Sequence, residues 1–151
     1  METTTEKNTA TFTHLSTLSQ YVFPFGNYIF PILIWSTKKD KSEFVDHHGK
    51  QAINFQLSLL IYTLILAAIA LPILIYTVFK DNTFSNFDYH TDFPFESIHF
   101  QDHIGIITVG LVAVFVFFCM KIAEFFLIIY ASIQTSNGKK YKYPLTIPFL
   151  K

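Results

Sequence analysis

The sequence has one cysteine, no arginine and few charged side chains. Charged residues make up 15% of its 151 residues, against about 25% in an average soluble domain. Cys119 has no second cysteine to pair with, which excludes an internal disulfide and a paired-thiolate metal site. Acidic and basic residues balance at 11 each, so the net charge does not indicate nucleic-acid binding. A chain that is 51% hydrophobic with so few charges is too apolar for an ordinary water-facing surface at this size.

Two segments are long and apolar enough to cross a membrane as helices. No charged residue occurs over residues 57–79, and about 20 apolar residues are enough to cross the hydrocarbon core. The segment 104–133 contains Lys121 and Glu124. Each charge costs roughly 2.5–3.5 kcal/mol on insertion, which the many apolar side chains offset at roughly 0.3–0.6 kcal/mol each. We therefore predict membrane spans over residues 52–79 and 104–133. After the second span, Asn137 and Gly138 form a helix-stop or turn signal.

A third apolar segment, over residues 15–36, is interrupted by residues that disfavour a helix. Pro24 and Pro31 each remove a backbone donor, and Gly26 lowers helix propensity. The segment fits either one kinked span, which we favour, or two short helices hinged over residues 24–27. The predicted fold is an all-α integral membrane bundle with three spans, or with four helices if the first span is a hinged pair.

The positions of the lysines predict which side of the membrane each connection faces. Four lysines lie in the 38–50 loop and four in residues 134–151, which are predicted to follow the last span, whereas the 80–103 loop has one. Because short cytoplasmic segments are enriched in Lys and Arg, the 38–50 loop and the C-terminus are predicted to be cytoplasmic and the 80–103 loop external. Residues 1–13 are predicted to form a polar N-terminal tail without a signal peptide, and residues 14–151 a single membrane domain.

Polar side chains occupy one face of the helix that enters the second span. They are four, three and four residues apart, which places them on the same side of a helix: His47, Gln51, Asn54 and Ser58. One interpretation is hydration of the helix where it enters the membrane, since such groups are costly only deeper in the core. The other is a packed polar contact, in which Asn54 and Gln51 hydrogen-bond to another helix or line a vestibule open to the cytoplasm.

Two further groups of side chains are candidate sites. Lys121 and Glu124 lie one turn apart inside a predicted span and can neutralise each other. An intramembrane ionisable pair is a functional hypothesis by default, and the alternative is a structural pair with a lysine that extends toward water. His99 and His103 have a spacing suited to zinc but lack a third well-placed ligand. We predict no metal, no cofactor and no catalytic residue.

Three segments resemble a known family: PFGN, FVD-H-GKQAINFQ and NG…Y-YPLTI. In combination they are similar to small bacterial membrane proteins of unknown function that are grouped with the Tic-twenty subunit of the chloroplast inner-envelope translocon. The resemblance implies an α-helical protein of the bacterial cytoplasmic (inner) membrane with a distant link to protein translocation. The positions that carry it are Pro24, Gly26, Asn27, Asp46, His48, Gly49, Lys50, Asn54, Gln56, Asn137, Gly138, Tyr143 and Pro144.

These observations support three hypotheses for function. The first is a noncatalytic membrane subunit, assembly factor or scaffold that contacts lipid and packs against other membrane proteins or a second copy of itself. The alternative is an oligomeric conduit or transporter for a small solute or ion, based on the broken first segment and the pair formed by Lys121 and Glu124. A metal- or haem-binding membrane protein ranks third. No nucleic-acid partner is expected.

Overall fold

The computed structural model describes residues 2–80 and 104–151. Within these residues every regular element is helical and no strand occurs, so the predicted all-α fold is confirmed. The predicted 80–103 loop, with His99 and His103, lies beyond Lys80 outside the described residues. In chain order the elements are α1 (Thr4–Ser16), a 3-10 helix (Thr17–Tyr21), α2 (Gly26–Lys38), α3 (Glu43–Lys80) and α4 (Ile104–Ser136).

The chain divides into two compact units. The first unit comprises Met1–Tyr62 together with Met120–Lys151, and the second comprises Thr63–Cys119. All the hydrogen-bonded clusters described below belong to the first unit. Its apolar core includes Phe55, Ile128 and Tyr143, which are buried against one another.

Helix α1 includes most of the segment predicted as a polar tail, residues 1–13. The Thr3 hydroxyl accepts from the Glu6 N–H, and the Glu6 carboxylate accepts from the Thr3 N–H at 2.7 Å. This reciprocal capping box satisfies two amides that a helix start leaves unpaired. The helix buries Ala10 and His14, so the N-terminal segment is part of the packed structure.

The apolar segment over residues 15–36 is interrupted, as its proline and glycine residues predicted. The 3-10 helix ends at Tyr21 and α2 begins at Gly26, and between them Phe25 adopts a left-handed φ of 63°. A Cβ at Gly26 would lie 2.5 Å from the Ser19 hydroxyl oxygen, so glycine permits this close approach. Helix α2 has 13 residues and extends about 20 Å, less than the ~30 Å hydrocarbon core. The segment therefore consists of two short helical pieces in place of one continuous kinked helix.

Helices α3 and α4 contain two segments that are long and apolar enough to cross a membrane, Glu43–Tyr76 and Thr108–Ser136. Only 6% and 11% of their most apolar windows are buried, whereas the core helix of a soluble protein would be mostly covered. The 38 residues of α3 extend about 57 Å. This length exceeds the ~30 Å core, so a membrane-crossing α3 would project beyond the hydrocarbon.

Helix α4 ends at Ser136, at the predicted stop formed by Asn137 and Gly138. The Lys139 N–H donates to the Gln134 carbonyl, and the Gly138 N–H donates to the Thr135 carbonyl. Gly138 has a φ of 76°, which completes a Schellman motif and satisfies carbonyls at the helix end. Residues 139–151 then continue without helix or strand; these residues are called the C-terminal tail below.

Candidate functional site

The polar stripe on α3 contacts the backbone of the C-terminal tail. The Asn54 amide nitrogen donates to the Leu150 carbonyl at 2.9 Å, and the Asn54 amide oxygen accepts from the Leu150 N–H at 2.8 Å. One turn further along α3, the Ser58 hydroxyl oxygen accepts from the Ile147 N–H at 2.8 Å. Both α3 side chains are buried, so these bonds lie inside the protein.

The contact continues in both directions along the same face of α3. The Tyr62 hydroxyl donates to the Leu145 carbonyl at 2.7 Å, and His47 Nε2 lies 3.2 Å from the Tyr141 carbonyl oxygen. The side-chain oxygen of Gln51 is buried without a hydrogen-bond partner in the part of the chain that the structure describes. The partner of the stripe is thus a segment without helix or strand, which neither sequence interpretation had named.

Replacing Asn54 by alanine is expected to loosen the C-terminal tail. The change removes two hydrogen bonds and leaves the N–H and carbonyl of Leu150 unpaired, which costs about 1–3 kcal/mol. Limited proteolysis of the detergent-solubilised protein should then cleave the tail faster than in the wild type. Gln51→Ala is the matched control, because its side-chain oxygen makes no hydrogen bond to any described residue. Equal protection of the tail in Asn54→Ala and wild type would mean that the stripe only hydrates the helix.

Glu124 is the centre of a second polar cluster. Its side chain is 1% exposed, and its Oε1 accepts from the amides of Gln20 at 2.8 Å and Gln56 at 3.1 Å. Its Oε2 pairs with the Lys121 ammonium at 2.8 Å. A buried carboxylate is tolerated when it is paired and hydrogen-bonded in this way. The predicted contact between Lys121 and Glu124 is formed, and the lysine side chain remains 34% exposed.

This cluster joins elements that are distant in the sequence. The Asn27 amide donates to the Gln56 side-chain oxygen at 2.8 Å, and the Lys121 ammonium also lies 3.3 Å from the Gln20 side-chain oxygen. The 3-10 helix, α2, α3 and α4 each contribute a side chain. The cluster therefore holds both pieces of the broken apolar segment against the two long helices.

A third cluster is a chain of buried rings that connects the tail to α1 and α3. The Tyr143 hydroxyl lies 2.9 Å from His14 Nδ1, and His14 Nε2 lies 2.9 Å from His48 Nδ1. Thr135 lies 3.2 Å from the same His48 nitrogen and donates to the Ala131 carbonyl. If the Tyr143 O–H donates to His14 and the His14 Nε2–H donates to His48, both bonds are satisfied with neutral rings. His48 Nε2 then has no hydrogen-bond partner among residues 2–80 and 104–151.

Burial keeps His14 and Tyr143 in their uncharged forms. It holds the pKa of His14 well below the ordinary value of 6.5, and the nearby rings of His48 and His47 lower that pKa further. Burial also raises the pKa of the Tyr143 phenol, with a smaller contribution from Tyr141. Both groups are therefore uncharged at neutral pH, as the hydrogen bond between them requires.

Asp46 and Gly49 of α3 position Trp35, the one tryptophan of the sequence. The indole N–H donates to the Asp46 carboxylate at 2.8 Å, and Lys50 pairs with the same carboxylate at 2.6 Å. A Cβ at Gly49 would overlap the indole ring, so glycine leaves the space that the ring occupies against α3. The Lys39 ammonium lies 4.9 Å from the ring centroid, within cation–π range.

Replacing Gly49 by alanine is expected to displace Trp35. The added methyl group overlaps the indole, and overpacking of this kind costs about 1–3 kcal/mol. The melting temperature in detergent should fall and the emission of Trp35 should shift. Gly110→Ala is the matched control, because a Cβ there meets nothing within 4 Å. If the two variants melt together with unchanged emission, Gly49 has no role in seating the indole.

No group of three or more His, Cys, Asp or Glu side chains within the described ranges could hold a metal ion. The candidate pair His99 and His103 lies in the segment that the structure does not describe. The absence of a metal, a cofactor and a catalytic residue therefore stays a prediction.

The side chains that sequence reasoning missed are partners of the ones it named: His14, Gln20, Trp35, Tyr62 and Thr135. Two signals could have found some of them. The spacing of Thr3 and Glu6 is that of a capping box, which indicates that a helix begins after Thr3, in the segment that leads to His14. Tyr62 lies four residues after Ser58 and extends the stripe by one turn.

The fold and these clusters define a helical protein with two membrane-length helices and a hydrogen-bonded polar interior. A comparison with protein families matches residues 5–150 to the magnetosome magnetite crystal formation protein family, MamF/MmsF. The chain belongs to that family. Comparisons with curated proteins and with solved structures gave no match.

The family match corrects the expected relationship to the Tic-twenty-like family. The segments quoted for that resemblance, from PFGN to YPLTI, all lie within the matched residues 5–150. Several of their side chains, such as Asn27, Gln56 and Tyr143, are buried in the clusters described above. The expected relationship to the Tic-twenty-like family was therefore wrong.

Proposed function

We propose that the protein is a noncatalytic membrane component of magnetite crystal formation, acting as a subunit, assembly factor or scaffold in the membrane that surrounds the crystal. The observation that carries the proposal is the family match over residues 5–150. The location proposed is a bacterial membrane, with lipid as the immediate environment and other membrane proteins or a second copy as partners.

The geometry of the first unit supports a structural role. Glu124 is held by an ammonium and two amides, and Asn54 is used to hold the tail backbone. Polar groups committed in this way fix the helices and the tail relative to one another. A fixed arrangement of this kind suits a scaffold, which must present its surfaces in a constant geometry.

We also propose that α3 and α4 cross the membrane with the 38–50 connection and the C-terminal tail on the cytoplasmic side. The lysine distribution supports this orientation. An ion pair of 2.6 Å joins Lys140 of the tail to Glu43 at the start of α3, which places both at the same end. Because His14 contacts Tyr143 of the tail, the end of α1 lies there too. The 3-10 helix then enters the membrane from the cytoplasmic side and the short α2 returns to that side. Two helices therefore cross the membrane, in place of the three spans predicted.

Cysteine labelling tests this topology in a bacterial host that forms no crystals, with the protein in the cytoplasmic membrane of intact spheroplasts. In a Cys119→Ala background, an impermeant thiol reagent should reach His90→Cys from outside. Thr5→Cys and Lys142→Cys should react only after the cells are opened. Labelling of Thr5→Cys from outside would restore the three-span arrangement.

The functional proposal is tested in a magnetite-forming bacterium that carries this protein. Deleting the protein is expected to change the size or shape of the crystals seen by electron microscopy. The wild type and Gln51→Ala should restore normal crystals, and Glu124→Ala, which disrupts the interior, should not. Unchanged crystals in the deletion strain would contradict the proposal.

An oligomeric conduit for a small solute or ion is the second candidate, because an ion pair with a buried carboxylate is present within a membrane-length helix. Its support is the pair formed by Lys121 and Glu124. Flux through liposomes that contain the protein should then fall in Glu124→Gln. Unchanged flux would remove this candidate.

A further inference from the structure

An open cleft of about 470 Å³ is lined in part by Trp35 and shares Leu150 with the contact between Asn54 and the C-terminal tail. Its lining residues include Trp35 and Phe149 together with Lys39, Lys50 and Lys151. Three lysines and two aromatic residues thus line one cleft. No pattern in the sequence indicated a ligand pocket at this place.

The charges in the cleft are unequally available to a ligand. Asp46 also lines the cleft, but its carboxylate is bound by Lys50 at 2.6 Å and by the Trp35 indole at 2.8 Å. Lys39 lies over the indole ring, where a cation–π contact leaves its ammonium able to bind an anion at the same time. Among the side chains of the lining residues, Lys39 and Lys151 then stand against one remaining carboxylate, Asp40, and this excess of positive side chains suits a ligand of negative charge.

Two residues of α3 fix the position of the Trp35 indole. Asp46 orients its N–H, and Gly49 leaves the space for its ring. A tryptophan positioned in this way beside lysines is typical of the depth at which lipid headgroups lie. The cleft is also at the correct place along α3, because Lys50 lies about 10 Å before the uncharged run that begins at residue 57.

We infer that this cleft binds the phosphate group of an anionic phospholipid. Lys39 and Lys151 pair with the phosphate, and the indole of Trp35 covers the adjoining glycerol. Lysines near the membrane surface attract anionic lipids. The cleft in addition provides a concave site in which a headgroup can lie. The inference depends on the proposed membrane insertion of α3 and does not depend on a role in crystal formation. Its failure and the failure of the crystal experiment are therefore distinguishable.

The fluorescence of Trp35 tests the inference directly, because no other tryptophan contributes to the signal. The full chain in neutral detergent micelles is titrated with phosphatidylglycerol and, separately, with phosphatidylcholine. A saturable change in emission is expected with phosphatidylglycerol and not with phosphatidylcholine. Lys39→Gln and Lys151→Gln should each weaken binding roughly tenfold, since each removes one hydrogen bond to a charged group. Asp40→Asn should strengthen it.

The matched controls are Lys139→Gln and Lys142→Gln, which change exposed lysines of the tail outside the cleft. Binding by these two variants should equal that of the wild type when all variants melt at the wild-type temperature. Equal weakening in the control and cleft variants would mean that only diffuse surface charge attracts the lipid, and would overturn the inference. Glycerol 3-phosphate is the third ligand of the titration. If it binds as tightly as phosphatidylglycerol, the site belongs to a soluble phosphate ester and the lipid assignment is wrong.

Discussion

Replacing Glu124 by alanine is expected to lower the free energy of unfolding by about 2–4 kcal/mol, at about 1–3 kcal/mol for each buried polar group that is left without its partner. The amides of Gln20 and Gln56 lose their shared acceptor, and the Lys121 ammonium loses its counter-ion. Because the cluster ties both pieces of the broken segment to α3 and α4, the loss should affect the whole first unit. Denaturant unfolding in detergent, followed by circular dichroism, measures the change.

Two further variants identify the origin of this effect. Glu124→Gln keeps an acceptor oxygen, and the partly exposed Lys121 can turn toward water, so a smaller loss is expected. Phe126→Ala removes a large side chain from the same helix at an exposed position and should have little effect. A loss in Glu124→Ala no larger than that in Phe126→Ala would show that the cluster contributes nothing to stability.

Acidification below pH 6.5 is expected to destabilise the wild-type protein. His14 has its ordinary pKa of 6.5 when unfolded and a much lower pKa when folded, so the unfolded state binds more protons as the pH falls. The stabilisation is complete above pH 6.5 and is lost at up to about 1.4 kcal/mol per pH unit below it. Since a protonated His14 cannot accept the Tyr143 hydroxyl, the tail should also become more sensitive to protease in acid.

His14→Gln separates this effect from the general effect of acid. The variant is expected to be less stable at neutral pH, but its unfolding free energy should fall less steeply between about pH 5 and 6.5. The slope, and not the stability itself, is therefore the quantity to compare. Parallel slopes in the two proteins would mean that His14 is not the group that binds the proton.

Sequence patterns predicted the parts of the fold that local chemistry determines. The uncharged run after residue 57 predicted a membrane-length helix, and α3 contains one. Asn137 and Gly138 predicted the end of α4, because glycine readily adopts the positive φ that a Schellman motif needs. Pro24 and Gly26 predicted an interruption, although the favoured single kinked span differs from the two short pieces observed.

The partners of the polar side chains could not be predicted in the same way. The spacing from His47 to Ser58 predicts a shared helix face, but the group that this face contacts is the tail backbone, 96 residues from Asn54 in the case of Leu150. Backbone atoms are the same in every residue, so the sequence carries no signal for such a partner. His14 was missed as an interior residue for a related reason, because its helix is polar and its burial depends on distant rings.

The most direct test of the polar framework asks whether the C-terminal tail lies on α3 of its own chain. Ser58→Cys and Ile147→Cys are combined with Cys119→Ala, and the pair is joined in the folded protein by mild oxidation or a short bifunctional thiol reagent. Cyanogen bromide then cleaves after Met120, which lies between the two positions. The contact of 2.8 Å between Ser58 and the Ile147 N–H predicts that the two fragments of a monomer stay joined until the crosslink is reduced. Fragments that separate, or a crosslink that joins two chains, would contradict it.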